Sequence, residues 1–168
     1  MRVVIAAGGT GGHVLPALAL AERLTSHHGA DVRFVGSPNG QEATRVPAAG
    51  YAFHAVEALP FYREVSWRAA QAPFVALRSA MRCATWMKGA DVAVGLGGYV
   101  SVPPMLAARR AHVPSVLHEP NAVPGLATRL LARSATAIAI AFEDARGRLP
   151  GHARVELTGY PIREAVAA

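Results

Sequence analysis

The strongest constraint on the fold is an alternation: short, β-branched, almost wholly apolar runs separated by stretches with helical spacing. The runs are Val3 to Ala7, Val32 to Val35, Phe53 to Val56, Val92 to Val94, Ser115 to Leu117, Thr136 to Ala141 and Val155 to Thr158. A strand with one wet face alternates apolar and polar residues. Strands that are apolar throughout are covered on both faces, the condition of a parallel sheet between helix layers. The spacing therefore predicts an α/β fold, a Rossmann-like doubly wound parallel sheet. A chain of 168 residues suffices for one such core and not for two ordinary domains. We place one domain over residues 1–163, with 164–168 as the start of an interdomain linker or a truncated end.

Sheets of this kind bind ligands beyond the carboxyl ends of their strands, so the residues after each strand carry the functional information. Four such segments are rich in glycine or polar groups: Gly8-Gly9-Thr10-Gly11-Gly12-His13, Gly97-Gly98-Tyr99-Val100-Ser101, His118-Glu119-Pro120-Asn121 and Gly159-Tyr160-Pro161-Ile162-Arg163. They are expected to share one rim. In the first, glycines let the backbone approach a ligand closely, and the following helix offers unpaired N–H groups and a positive dipole end to an anion. The loop is not a dinucleotide fingerprint, because Val14 stands where the third glycine would be and no acid directly follows the second strand. Nor is it a Walker A loop, because Gly-Lys followed by Ser or Thr occurs nowhere.

His13 closes that loop at the first helical turn, where the dipole disfavours the imidazolium and leaves a neutral ring able to accept a proton. It reads either as a general base or as an ordinary hydrogen-bonding residue. Ser101 sits at a plausible helix N-cap with Pro103-Pro104 in the first turn. Glu119 and Asn121 suit a hydroxyl-rich ligand, and Arg163 is either a bidentate phosphate ligand or a surface charge. His118-Glu119 lacks a second histidine and no C-x-x-C occurs, so nothing supports a protein-held metal. His27, His28, His54, His112 and His152 read as structural or surface residues.

The net charge of +6 draws the chain towards phosphates, anionic lipids or nucleic acid without choosing among them. The stretch Ser66 to Lys88 predicts a helix in which Phe74, Leu77, Met81 and Ala84 recur at three- and four-residue steps, with Arg78 and Arg82 on another face. Pro73 kinks it or marks its start. Arg63, Arg68, Arg78, Arg82 and Lys88 form either a basic surface for a membrane or a solvated helix face. The single cysteine, Cys83, has no disulfide partner and reads as a small buried side chain in a reducing compartment. Two long uncharged runs, Val3 to Ala21 and Val92 to Ala108, are broken by glycines and read neither as a signal peptide nor as a membrane span.

Taken in order from Met1 to about Arg163, the four segments resemble the MurG family of bacterial UDP-GlcNAc transferases, glycosyltransferase family 28. The resemblance implies the amino-terminal, acceptor-binding half of a two-domain GT-B glycosyltransferase. Such an enzyme transfers GlcNAc to undecaprenyl-pyrophosphoryl-MurNAc-pentapeptide, lipid I, and makes lipid II of peptidoglycan. By resemblance His13 is the catalytic base. Thr10, Gly11, Gly12, Asn121 and Arg163 face the donor, and Gly11, Gly12, Gly97, Gly98, Tyr99, Ser101 and Glu119 serve the acceptor. The family usually reads H-E-Q-N and G-N-P-x-R where this chain has Pro120 and Tyr160, and Leu59-Pro60-Phe61-Tyr62-Arg63 replaces its usual Gly-x-Arg-Gly-Lys. The implied setting is peripheral, on the cytoplasmic face of an anionic membrane, with no cofactor, no metal and no nucleic acid. The chain is expected to be inactive without a carboxyl-terminal donor domain, on the same or a separate chain. Two other readings are a non-catalytic lipid-diphosphate-binding or scaffolding subunit of a split transferase, and an unrelated nucleotide-binding domain.

Overall fold

The computed structural model describes residues 1–8, 11–59, 67–150 and 154–162. Within them the chain runs β1 (Arg2–Ala6), α1 (Gly11–His28), β2 (Asp31–Gly36), α2 (Glu42–Ala48), β3 (Ala52–Ala55), α3 (Trp67–Met87), β4 (Val92–Gly95), α4 (Val102–Arg110), β5 (Ser115–Glu119), α5 (Leu126–Leu131), β6 (Ala137–Ile140) and β7 (Val155–Leu157). Short 3-10 turns at Tyr99–Ser101 and Glu143–Arg148 complete it. The strands form one sheet in the order β3-β2-β1-β4-β5-β6-β7, and every neighbouring pair is parallel. Each apolar run of the sequence became a strand, with ends displaced by a residue or two.

The two sides of the sheet are separate cores. Val3, Ile5, Val32, Phe34 and Val94 pack against Val14, Ala17 and Ala21 of α1 and Val46 of α2. Val4, Ala6, Ala93, Leu117, Ile138 and Ile140 pack against Cys83 and Met87 of α3, Met105 and Ala108 of α4 and Leu131 of α5. Alternate residues of β1 thus serve opposite layers, as the strand pleat requires. The single thiol is fully buried, which pushes its pKa up to about 12 and leaves Cys83 an inert core side chain.

Helix α3 has two apolar faces, and the larger residues are on the outer one. Ala72, Ala80, Cys83 and Met87 are buried, whereas Phe74, Leu77 and Met81 are 71%, 60% and 60% exposed. Small side chains on the inner face allow close approach to Ala107 and Ala108 of α4, and the bulky periodic stripe is left in solvent. Pro73 lies inside the helix, six residues past its start at Trp67. Arg78, Arg82 and Lys88 are exposed, while Arg63 and the side chain of Arg68 lie outside the described residues. Among the described residues no helix is long and apolar enough to cross a membrane.

The strand order fixes where a ligand binds. The chain leaves β1 towards β2 and β3 on one side and returns through β4 on the other, so the crevice opens above the carboxyl ends of β1 and β4. Those two strands carry the two glycine-rich loops.

Candidate functional site

The first turn of α1 begins at Gly11 and contains no acidic residue, so its N–H groups and positive dipole end face no competing carboxylate of their own. Gly12 is exposed and His13 half-buried. Opposite, the loop after β4 turns back through two left-handed glycines, Gly97 at φ 82° and Gly98 at φ 72°. A side chain at either would also be crowded. A Cβ on Gly97 would lie 3.2 Å from the His13 ring, and one on Gly98 would lie 3.1 Å from the Gly8 carbonyl oxygen. The two loops are therefore in contact, with the imidazole seated against Gly97 and Gly98.

Ser101 is fully buried, and its hydroxyl reaches the Gly97 carbonyl at 2.6 Å and the Ala6 carbonyl at 3.2 Å. It braces the second loop against the end of β1 and exposes no atom to a ligand. Tyr99 is half-buried on the same turn. Glu119 is 1% exposed: one oxygen accepts the backbone N–H of Asn121 at 3.0 Å and its Nδ2 at 2.8 Å, and the other accepts the Gly125 N–H at 3.0 Å. Its role in this structure is to fold the 119–125 turn and aim the exposed Asn121, whose Oδ1 makes no hydrogen bond to a described residue. Thr10 and Arg163, expected at the donor, lie outside the described residues, as do 164–168.

His118 lies on the same rim. Its Nε2 is 3.1 Å from the Gly159 carbonyl, which requires the proton on Nε2, and its ring meets Tyr160 edge-on at 6.0 Å. Nδ1 is buried with no hydrogen-bond partner among the described residues. Burial pushes the ring below its ordinary pKa, against the Gly159 bond and the Glu119 charge, and so favours the neutral imidazole.

Tyr160 closes the rim through an unexpected contact. Pro16 sits inside α1 and has no N–H to donate to the carbonyl four residues earlier, that of Gly12. The Tyr160 hydroxyl donates to that Gly12 carbonyl at 2.6 Å. A helix defect in the glycine loop thus anchors the segment after β7, and all four loops meet as the sequence led us to expect.

Burial is the largest influence on His13 and pushes it below 6.5; Glu119 pulls it back up, His118 lowers it further, and Glu42 raises it. The direction is the one anticipated from the helix position, with desolvation as its leading cause. Glu42 was not anticipated. No acid follows β2 directly, where Gly36-Ser37 stands; the acid comes six residues after Gly36 and points inward beneath the glycine loop.

Two clefts of similar size mark the surface. One of about 580 Å³ borders the rim beside α1, with His118, Gly159 and Tyr160 in its wall. The other, of about 610 Å³, lies between α5 and the Glu143–Arg148 turn and carries Arg129, Arg133 and Arg148 but none of the loop residues. Among the described residues no group of His, Cys, Asp or Glu gathers to hold a metal.

The sequence profile of the glycosyltransferase family 28 N-terminal domain matches residues 3–140. The chain belongs to glycosyltransferase family 28. This family 28 domain is 43% identical over 166 residues to a UDP-N-acetylglucosamine–N-acetylmuramyl-(pentapeptide) pyrophosphoryl-undecaprenol N-acetylglucosamine transferase from Desulforudis audaxviator; the match covers 97% of this chain and 44% of that protein. The enzyme of the same name from Lactiplantibacillus plantarum is 40% identical over 170 residues, covering 99% and 47%. Among solved structures, Acinetobacter baumannii MurG superposes with a TM-score of 0.78 at 32% identity, over 95% of this chain and 46% of that one. A UDP-N-acetylglucosamine 2-epimerase, at 13% identity and a TM-score of 0.69, shares the fold. The family 28 domain spans about half the length of the curated relatives it matches.

Proposed function

We propose that this domain is the acceptor-binding half of an inverting transferase that moves GlcNAc from UDP-GlcNAc to lipid I. The observation that carries the reading is the seating of His13 against Gly97 and Gly98, in front of a helix terminus without acids. Backbone N–H groups of the two glycine loops receive the acceptor diphosphate. His13 takes the proton of the C4 hydroxyl of N-acetylmuramic acid as that oxygen bonds to the anomeric carbon. The bond from that carbon to UDP breaks, and the product is a β-1,4-linked disaccharide, lipid II. Thr10, Gly11, Gly12, Asn121 and Arg163 complete a donor site supplied mainly by a carboxyl-terminal half. Gly11, Gly12 and Tyr99 meet the acceptor with Gly97 and Gly98, and Ser101 and Glu119 serve it through the turns they brace.

The test supplies the chain with the carboxyl-terminal half of a relative, lipid I and UDP-GlcNAc. His13→Ala is expected to lower kcat about 10²–10⁴-fold, the span of a general base. Unchanged turnover removes His13 from that role.

The outer face of α3 supports a peripheral position on the cytoplasmic leaflet. Phe74, Leu77 and Met81 stand exposed beside Arg78 and Arg82, an apolar stripe flanked by cations. The chain is expected to sediment with phosphatidylglycerol-containing vesicles more than with neutral ones, and Phe74→Ser with Leu77→Ser to abolish the difference. Equal sedimentation of parent and variant refutes this assignment.

A further inference from the structure

Beneath the glycine loop lies a carboxylate that the proposed reaction does not use. Glu42 opens α2, and a glutamate in that position normally reaches into water; here it is 0% exposed. Its Oε1 accepts the Ser37 N–H at 2.8 Å, and its Oε2 is buried with no hydrogen-bond partner among the described residues. No Lys or Arg among them forms an ion pair with it. Burying such a group costs several kcal/mol in general, a cost that its single hydrogen bond to Ser37 does not offset.

Three glycines from three segments make room for this one side chain. A Cβ on Gly8 would lie 2.0 Å from Oε1, one on Gly40 2.2 Å from Oε2, and one on Gly36 2.5 Å from Cγ. Gly8 opens the first glycine loop, and its carbonyl is the atom against which Gly98 of the second loop is packed. The carboxylate therefore sits at the base of both loops.

We propose that Glu42 is a positioning residue for His13: it seats the glycine loop from below and supplies negative charge that stabilises the proton His13 takes up. This rests on the reading of His13 as the base. Among the described residues, Glu119 and His118 of β5 and Glu42 of α2 act on the imidazole, while Gly97 and Gly98 opposite carry no titratable group. Desolvation weakens a buried base, and carboxylates that stay out of the ligand's reach restore its proton affinity without competing for the ligand.

The decisive variant is Glu42→Gln, which keeps the volume beneath the three glycines and an acceptor for Ser37 but removes the charge. In the 168-residue chain, NMR titration of the His13 ring is expected to show its midpoint moved to lower pH. Glu156→Gln, a change in an exposed acid paired with Arg154 on β7, should leave it in place. In the reconstituted enzyme, kcat should fall about two- to threefold with the acceptor KM unchanged, and the acidic limb of the pH profile should move to lower pH. An unmoved His13 midpoint overturns the proposal, and so does a Glu42→Gln chain that no longer folds, since the side chain would then serve the fold alone. The two readings fail separately: a shifted midpoint together with normal turnover by His13→Ala removes the base and leaves the coupling.

Discussion

If the glycine at position 8 exists to accommodate Glu42, then Gly8→Ala is harmful only while Glu42 is present. The φ of Gly8 is not left-handed, so an alanine there is not strained by its backbone, and the three nearest atoms its methyl would meet belong to Glu42: Oε1 at 2.0 Å, Cδ at 2.7 Å and Oε2 at 3.3 Å. The carboxylate cannot swing aside, because Gly36 and Gly40 hem it in and it is wholly buried. Gly8→Ala must tear it from the Ser37 N–H, which costs about 1.5–3 kcal/mol for a bond to a charged group, with about 1 kcal/mol or more for overpacking. Glu42→Ala alone costs about 2 kcal/mol, through the unpaired Ser37 N–H and the void left behind. In the double variant the new methyl enters that void, so the cost of Gly8→Ala falls below about 1 kcal/mol and the cycle departs from additivity by about 2 kcal/mol. For a chain of this length that is about 4–8 °C in Tm, readable by circular dichroism of the four proteins. Gly36→Ala is the control: its Cβ would also meet the Ala7 carbonyl and the Phe53 ring at 2.9 Å, so removing Glu42 should not rescue it. Additive Gly8 and Glu42 effects would refute the account of how these residues share space.

Tyr160→Phe removes the donor to the Gly12 carbonyl but keeps the ring against His118. It should cost about 1 kcal/mol and speed amide exchange at Thr158 and Gly159, and unchanged exchange there would show that the latch is not holding the segment. Stability should also fall with pH. His13, His54 and His118 all have folded pKa values lowered chiefly by burial, so below 6.5 the unfolded chain binds protons that the folded chain refuses. The loss starts as pH falls through the unfolded value and is complete below the lowered folded ones. Urea midpoints that stay flat or rise from pH 7 to pH 5 would contradict it.

The sheet was legible because a parallel strand buried on both faces has little freedom in composition. Val3 to Ala7 and Val32 to Val35 could hardly be anything else. The four loops were legible for a related reason, since the strand order brings their strands' carboxyl ends together whatever the loops contain. Direction along the helices was less so. Periodicity marked Phe74, Leu77 and Met81 as one face of α3, but which face of a doubly apolar helix turns inward depends on the small residues of α4 that receive it, 25 or more residues later. Glu42 was illegible for another reason. Sequence reasoning assigns acids near a helix start to solvent and the dipole, and only the meeting of Gly8, Gly36 and Gly40 makes an interior for one. The Tyr160 contact had a trace in the sequence, in that Pro16 necessarily leaves the Gly12 carbonyl without its helical donor, but nothing local says what comes to fill it.

The rim thus combines an anion-receiving surface with negative charge underneath, and the geometry explains why these do not defeat each other. Both buried carboxylates direct oxygens to backbone N–H groups of their own loops, Glu42 to Ser37 and Glu119 to Asn121 and Gly125. Neither is open to solvent, so neither competes for the N–H groups of α1 and the second glycine loop that face the crevice. A ligand phosphate would meet backbone dipoles first and the carboxylates only through protein. Both charges favour the protonated His13 ring, against the desolvation that lowers its pKa. The same charges that a bound diphosphate feels weakly at the surface act on the group proposed to gain the proton, and desolvation strengthens them there. Neutralising Glu42 should therefore affect proton transfer more than binding, which is why the Gln variant is expected to separate kcat from KM.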